Sequence, residues 1–240
     1  MRAFSLLELL VVIAIIAILL ALVFPAFTAS KNSAQRAHCR SNLRQIDLAI
    51  HIYLDDQTDN SPGHTNTTHT PFLNWTDYRE LIQKYVGLKG LPSPQDFVFA
   101  CPADTFYYDT SHTGLGYVAQ PMHEQSNHAF TSYSYNAAEM TMRQGTNIIT
   151  NLVGIAGQKL DTVVHPSQTI LIAETPAFWP YSWHQPKRPF LMGNSIFNDS
   201  QNMAGFVDGH VEYLKMYWNG KMPAASYDPP AGYGYQWNGN

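Results

Sequence analysis

The chain has 240 residues, a formal net charge of −4, and only 13% charged side chains against 13% aromatic ones. That balance leaves no basic footprint for a nucleic-acid partner. Setting aside the apolar N-terminal segment leaves roughly 210 residues, enough for one domain with a core of its own.

The first element is the run FSLLELLVVIAIIAILLALVFPAF, residues 4–27, apolar except at Ser5, Glu8 and Pro25. Its first 21 or so residues, as a helix, reach roughly 31 Å, one bilayer hydrocarbon core. A cleavable secretion signal expects an apolar core of about 7–15 residues. This run is longer, and Glu8 is out of place in such a signal. A carboxylate in a membrane helix costs on the order of 2.5–3.5 kcal/mol at the bilayer centre and less near an interface. The helix N-terminal dipole makes Glu8 tolerable there without explaining its presence. Cleavage after Ala3 would explain more. It leaves the free amine of Phe4 one helical turn from Glu8, and the two charges neutralise each other within a chain or between neighbours.

Ala3, Phe4, Ser5, Leu6, Leu7 and Glu8 resemble the prepilin signature of type IV pilins and type II secretion pseudopilins, with Ala3 in place of the usual Gly. The resemblance implies a three-residue leader (1–3), cut between Ala3 and Phe4 by an inner-membrane prepilin peptidase. It also implies N-methylation of Phe4 and a role for Glu8 in pairing with a neighbouring subunit's N-terminus during assembly. Like or related pilin subunits and the inner-membrane assembly machinery are the implied partners. The count of positive charges (Arg2 before the run; Lys31, Arg36, Arg40 and Arg44 after it) favours the opposite topology. The prepilin signature is preferred, because the later charges sit on a continuing helix. The C-terminal domain is then extracytoplasmic.

Pro25 removes one backbone hydrogen bond and is expected to kink the helix without ending it. Beyond it, Leu43, Ile46, Ile50, Tyr53 and Leu54 make one buried stripe, and DDQTDNSPG stops the pattern. The spine therefore divides into a transmembrane half (4–27) and an amphipathic half (28–58), ahead of a globular α+β domain (59–218). His64 and His69, in a polar loop, lack zinc-site spacing. Asp77 and Glu80 resemble a capped helix start that sets Leu81, Ile82 and Tyr85 on one face, with Gly87 as the stop. Short strands are expected at 97–100, 131–135, 169–173, 205–207 and 210–214. Asp208 and Gly209 are expected to form a two-residue hairpin turn with positive φ at both.

Patches along the chain extend the resemblance: CRSNLRQIDLAIHIYLDDQTDNSPG, CPAD, SYSYN, HPSQTILIAE and GFVDGHVEYL. They are similar to a bacterial pilin-like subclass marked by His, nine residues, then Asp-Gly; here Asn198 stands in place of that His.

On a continuous strand Asp208, His210 and Glu212 would share a face like metal ligands; a turn at Asp208 breaks the set. Asn198, Asp199, Asn202 and Asp208 are hard oxygen donors that invite a calcium loop, without a recognised spacing. No catalytic residues and no other cofactor are expected. Cys39 and Cys101 are an even pair in an exported domain and read as a disulfide, worth roughly 4 kcal/mol for a loop of about 60 residues; two separate buried thiols are the alternative. The tail, 219–240, rich in Gly, Pro, Tyr and Trp, resembles a surface-lying coil.

Together these features point to an α+β, pilin-like, non-enzymatic filament subunit: a long helical spine on a small antiparallel sheet with long loops. The alternative is a membrane-tethered enzyme or carbohydrate-binding domain, with Trp75, Trp179, Trp183 and Trp237 forming a binding face.

Overall fold

The computed structural model describes residues 6–59, 75–76, 78–109, 116–136, 142–144, 147–149, 154–155, 159–179, 181–186, 199–219 and 227–240. Helix α1, Leu6–Asp59, is one continuous α-helix of 54 residues with Pro25 inside it. Residues 6–34 are exposed throughout. From Cys39 onward one face is buried: Leu43, Ile46, Ala49, Ile50 and Tyr53 are all below 8% exposed, and Leu54 packs at the margin. This is the expected stripe, with two polar members, Asn42 and Asp47.

The predicted second helix is a single turn, α2 (Tyr78–Leu81), running into a 3-10 turn, Gln83–Val86, closed by Gly87 at φ 78°. Ile82 is buried, and so is Arg79. Its guanidinium bonds Asp96 at 2.5 Å and Gln83 at 2.9 Å and lies 3.7 Å over the Phe99 ring. Residues 97–100 are not a strand: Phe97–Phe99 is a 3-10 turn. A short apolar run carries no periodicity to tell the two apart.

Strands β1 (Tyr107–Asp109) and β2 (Gly116–Val118) form a hairpin, followed by β3 (Tyr133–Tyr135). A second small hairpin joins β4 (Met142–Gln144) and β5 (Asn147–Ile149). Then come β6 (Ile170–Glu174), β7 (Ser200–Phe206) and β8 (Val211–Met216). The main sheet is antiparallel and four-stranded, in the order β3-β6-β7-β8. β6 reads ILIAE and is buried along its whole length, as befits an inner strand covered on both faces.

The β7–β8 connection differs in type from the expected turn. Gly209 N–H donates to Phe206 O at 2.8 Å and Phe206 N–H to His210 O at 2.9 Å. Among the loop residues only Gly209 has positive φ (87°). This is a three-residue loop, Val207-Asp208-Gly209, with glycine at the left-handed position. Asp208 needs no left-handed backbone there, and its carboxylate instead caps His210 N–H at 3.2 Å.

Residues 227–240 are irregular and partly exposed, but they are pinned into the domain where Tyr235, Trp237 and Gly239 are buried. Thr169 and Gln236 form a parallel bridge, and Val164 N–H donates to Gly239 O at 3.0 Å. Asn136 Nδ2 donates to the carbonyl of Trp237 at 2.8 Å, whose ring lies 4.8 Å from Phe178. Trp237 is fully buried. Trp237→Ala is accordingly expected to lose about 3–5 kcal/mol, measured by urea denaturation followed by circular dichroism; a loss below about 1 kcal/mol would mean the tail is an appendage.

Candidate functional site

Two parts of the molecule have chemistry to offer: the free half of α1, and the junction where its other half meets the domain. On the free half, Leu6, Leu22, Phe24 and Phe27 are each more than 65% exposed. Among the described residues, α1 is the helix long and apolar enough to cross a membrane. Glu8 lies in its first turn. Ala3 and Phe4 fall outside the described residues. Pro25 removes the N–H that would have bonded Ala21 O, yet the chain stays helical through the proline; Thr28 Oγ1 separately donates to Phe24 O at 3.1 Å.

The junction is built from the sequence patches singled out above. Cys39 of α1 and Cys101 of CPAD are joined by a disulfide, with Cα atoms 5.2 Å apart and a sequence separation of 62. Beside it Asn42 Nδ2 donates to Phe97 O (3.0 Å) and Ala100 O (2.9 Å), and Gln35 Nε2 to Pro102 O (2.9 Å). Ser132, from SYSYN, accepts from Cys101 N–H at 2.9 Å and donates to Asp104 Oδ2 at 2.7 Å. Asp104 also accepts from the backbone N–H of Met122 and His123, each at 2.9 Å. Close to the sulfurs is a buried pair, Glu174 at the end of β6 and His184 in the connection that follows it. Glu174 Oε1 is 2.8 Å from His184 Nε2 and 3.3 Å from Cys101 Sγ; Glu174 Oε2 accepts Met203 N–H at 2.9 Å.

Residues 1–24 match the family model of the prokaryotic N-terminal methylation motif. The chain carries a type IV pilin-like signature. No curated protein and no solved structure matches it. The pilin-like motif and the apolar helix behind it fit a pilin-like subunit anchored in the inner membrane.

Other groups do not assemble as their spacing invited. Asp199 and Asp208 sit at opposite ends of β7, about 23 Å apart at roughly 3.3 Å per residue. Asn202 is buried and donates to Tyr181 O at 2.8 Å. One calcium loop cannot collect all three, and Asn198 lies outside the described residues. Asp208 pairs with His210 at 2.5 Å, while Glu212 faces solvent further along β8. Ser132 and His123 both bind the Asp104 carboxylate, so the order is Ser–Asp–His, and the serine gains no base from His123. The tryptophans give no open platform: Trp179, Trp183 and Trp237 are buried, and Trp75 is packed on Phe178 and Trp179.

Sequence reasoning missed Glu174, His184 and Asp47. Asp47, 1% exposed, faces Gly205, where an added Cβ would stand 2.8 Å from its Oδ2. Its Oδ1 is 3.2 Å from His51 Nε2, one turn on. Burial pushes the Asp47 carboxyl above its ordinary range, and the neighbouring Asp47 raises the His51 imidazole above its own. Protonated His51 therefore favours the folded chain. That contribution is complete below the unfolded pKa of about 6.5 and is lost as pH rises through the higher folded value. Asp47 works in the same direction in a more acidic window. We expect the wild-type urea midpoint to fall from about pH 6 to about pH 8.5 more steeply than that of His51→Gln, whose residue 51 does not titrate. Parallel profiles would remove the ion pair from the account of the junction.

Proposed function

We propose that the protein is a structural, non-enzymatic subunit of a pilin-like filament, either a secretion pseudopilus or a surface pilus. It is stored in the inner membrane with its domain on the extracytoplasmic side and assembled through α1. The observation that carries this reading is the half-helix exposed along its length and apolar from Leu6 to Phe27 except at Glu8 and Pro25, most of which lies inside the matched methylation motif, residues 1–24. Prepilin peptidase would cut at Ala3–Phe4, Phe4 would be N-methylated, and the assembly machinery would bring like or related subunits together.

Each exposed Leu, Ile, Val or Phe gains about 1.5–3 kcal/mol on leaving water. Lipid and a bundle of neighbouring spines satisfy that demand about equally, because lipid tails are as apolar as leucine. The apolar surface thus keeps the helix out of water without setting its axial position among neighbours. A charge pair in a dry environment does set it, since an unpartnered amine there is costly. Glu8 is the residue of this half placed to supply the anion.

Intact-mass measurement of membrane-extracted protein should find a chain that begins at N-methylated Phe4. A mature chain beginning near Ala29 would instead mark an ordinary secretion signal and end the filament reading. Separately, Glu8→Gln should insert, be cleaved and fold normally, yet incorporate into filaments at least about tenfold less well than wild type in the same cells, the effect of about 1.4 kcal/mol. Equal incorporation would reduce Glu8 to an interfacial residue tolerated by the helix dipole.

A further inference from the structure

The buried group around the disulfide contains more than a disulfide requires. Cys39 Sγ, Cys101 Sγ, a carboxylate oxygen of Glu174 and a ring nitrogen of His184 all lie within 4.8 Å of one another, and all four residues are buried. They arrive from four separate places: the middle of α1, the CPAD turn, the end of β6 and the segment ahead of β7. A disulfide sulfur is neutral and offers a carboxylate no hydrogen bond. Burying a carboxylate and an imidazole against it therefore carries a desolvation cost that the sulfur does not offset.

The geometry is that of a coordination shell. Zinc bonds of about 2.3 Å to sulfur and 2.0–2.2 Å to nitrogen or oxygen give a tetrahedron with edges of roughly 3.3–3.8 Å. Cys101 Sγ stands 3.3 Å from Glu174 Oε1 and 3.8 Å from His184 Nε2. The Glu174–His184 edge is now a 2.8 Å hydrogen bond that opens by about half an ångström on ligation, and the Cys39–Cys101 edge, now a covalent bond, opens to roughly 3.8 Å once reduced. Two thiolates, an imidazole and one carboxylate suit a borderline-soft ion such as zinc and not calcium or magnesium, which take oxygen shells. Outer contacts are in place as well. Met203 N–H holds Glu174 Oε2 at 2.9 Å and leaves Oε1 turned to the cluster, the kind of support that orients a ligand.

We propose that, when the Cys39–Cys101 bond is reduced, Cys39, Cys101, Glu174 and His184 bind one zinc ion, so that disulfide and metal are alternative closures of the same junction. The interconversion balances. A dithiol delivers two electrons and two protons to the disulfide and becomes a disulfide itself. Zinc then displaces both thiol protons to solvent, the proton held between Glu174 Oε1 and His184 Nε2 moves to Nδ1, and the freed oxygen and nitrogen supply the other two bonds. The occupied site holds two thiolates, one carboxylate and one dication, a net charge of −1. Because the ligands come from the spine, the sheet and two connecting segments, the metal would hold the domain on α1 in a reducing compartment, as the disulfide does in an oxidising one.

The test uses full-length protein in detergent, prepared oxidised and prepared reduced, with zinc and cobalt(II) as probes. The reduced protein should take up one equivalent of either. The cobalt form should show thiolate charge-transfer absorption and the intense visible bands of a tetrahedral ion, and the oxidised protein should show neither. His184→Ala and Glu174→Gln, each first shown to form the disulfide with wild-type near-ultraviolet circular dichroism when oxidised, should weaken binding about 10-fold or more. Reduced wild type that takes up no metal overturns the proposal, and these two wild-type states decide that without any variant. Equal uptake by the oxidised protein overturns it too, since the thiolates would then play no part. Unchanged affinity in both variants overturns the four-residue site and leaves a bare cysteine pair.

Discussion

One helix has to satisfy two solvents, and the rest of the molecule follows from that. Residues 6–34 of α1 are exposed, and as far as Phe27 they are apolar enough to cross a membrane, while the turns after Cys39 bury a stripe in the domain. A helix bent sharply between the halves would place the domain against the membrane surface. This one runs without interruption from Leu6 to Asp59, because a proline in mid-helix costs one hydrogen bond and a local bend, not the helix itself.

The domain is therefore organised to grip α1. The sheet supplies the apolar floor, with β6 and β7 against the stripe, and Gly205 lets the helix come close where Asp47 passes. Polar contacts gather at the same place. Asn42 satisfies two carbonyls of the Phe97–Ala100 turn, and Asp104 gathers Ser132, Met122 and His123 beneath the disulfide. Patches that look unrelated along the chain are neighbours here: CPAD, SYSYN and the glutamate that ends ILIAE converge on Cys101. Their common chemistry is fastening, by a covalent bond and by buried hydrogen bonds that cost 1–3 kcal/mol each if left unmade.

The sequence was legible where structure follows from local pattern. Apolar length and the three–four spacing of Leu43, Ile46, Ile50 and Tyr53 were enough for α1, and a hydrophobic run ended by Asp-Gly was enough for the hairpin and β8, while β7 begins at Ser200, five residues before the expected 205. It was illegible where the deciding partner is distant. FVF at 97–99 looks like a strand until Asn42, 55 residues away, claims the carbonyl of Phe97. The glycines and prolines around Trp237 resemble those of a free coil, and only the hole beside Phe178 reveals the docked ring. Asp47 looks like a solvated residue on a helix face. Glu174 and His184, separated by a 3-10 turn, show no periodicity that would bring them together beside Cys101.

The buried polar groups also fix something that an apolar stripe leaves loose. A row of Leu and Ile can rotate by part of a turn on a sheet and still bury similar area. Rotating α1 by one residue, about 100°, would pull Asn42 from its two carbonyls, drive the Asp47 carboxylate into apolar packing and break the alignment of Cys39 with Cys101. The helix is thereby held to one azimuth on the domain. Because it is continuous, that azimuth propagates toward the N-terminus, modified only by whatever bend Pro25 introduces. The direction in which Glu8 faces is thus set, some 30 residues away, by the residues that clamp α1 to the sheet. An assembly in which Glu8 must meet a neighbour's amine then depends on the junction as much as on the glutamate.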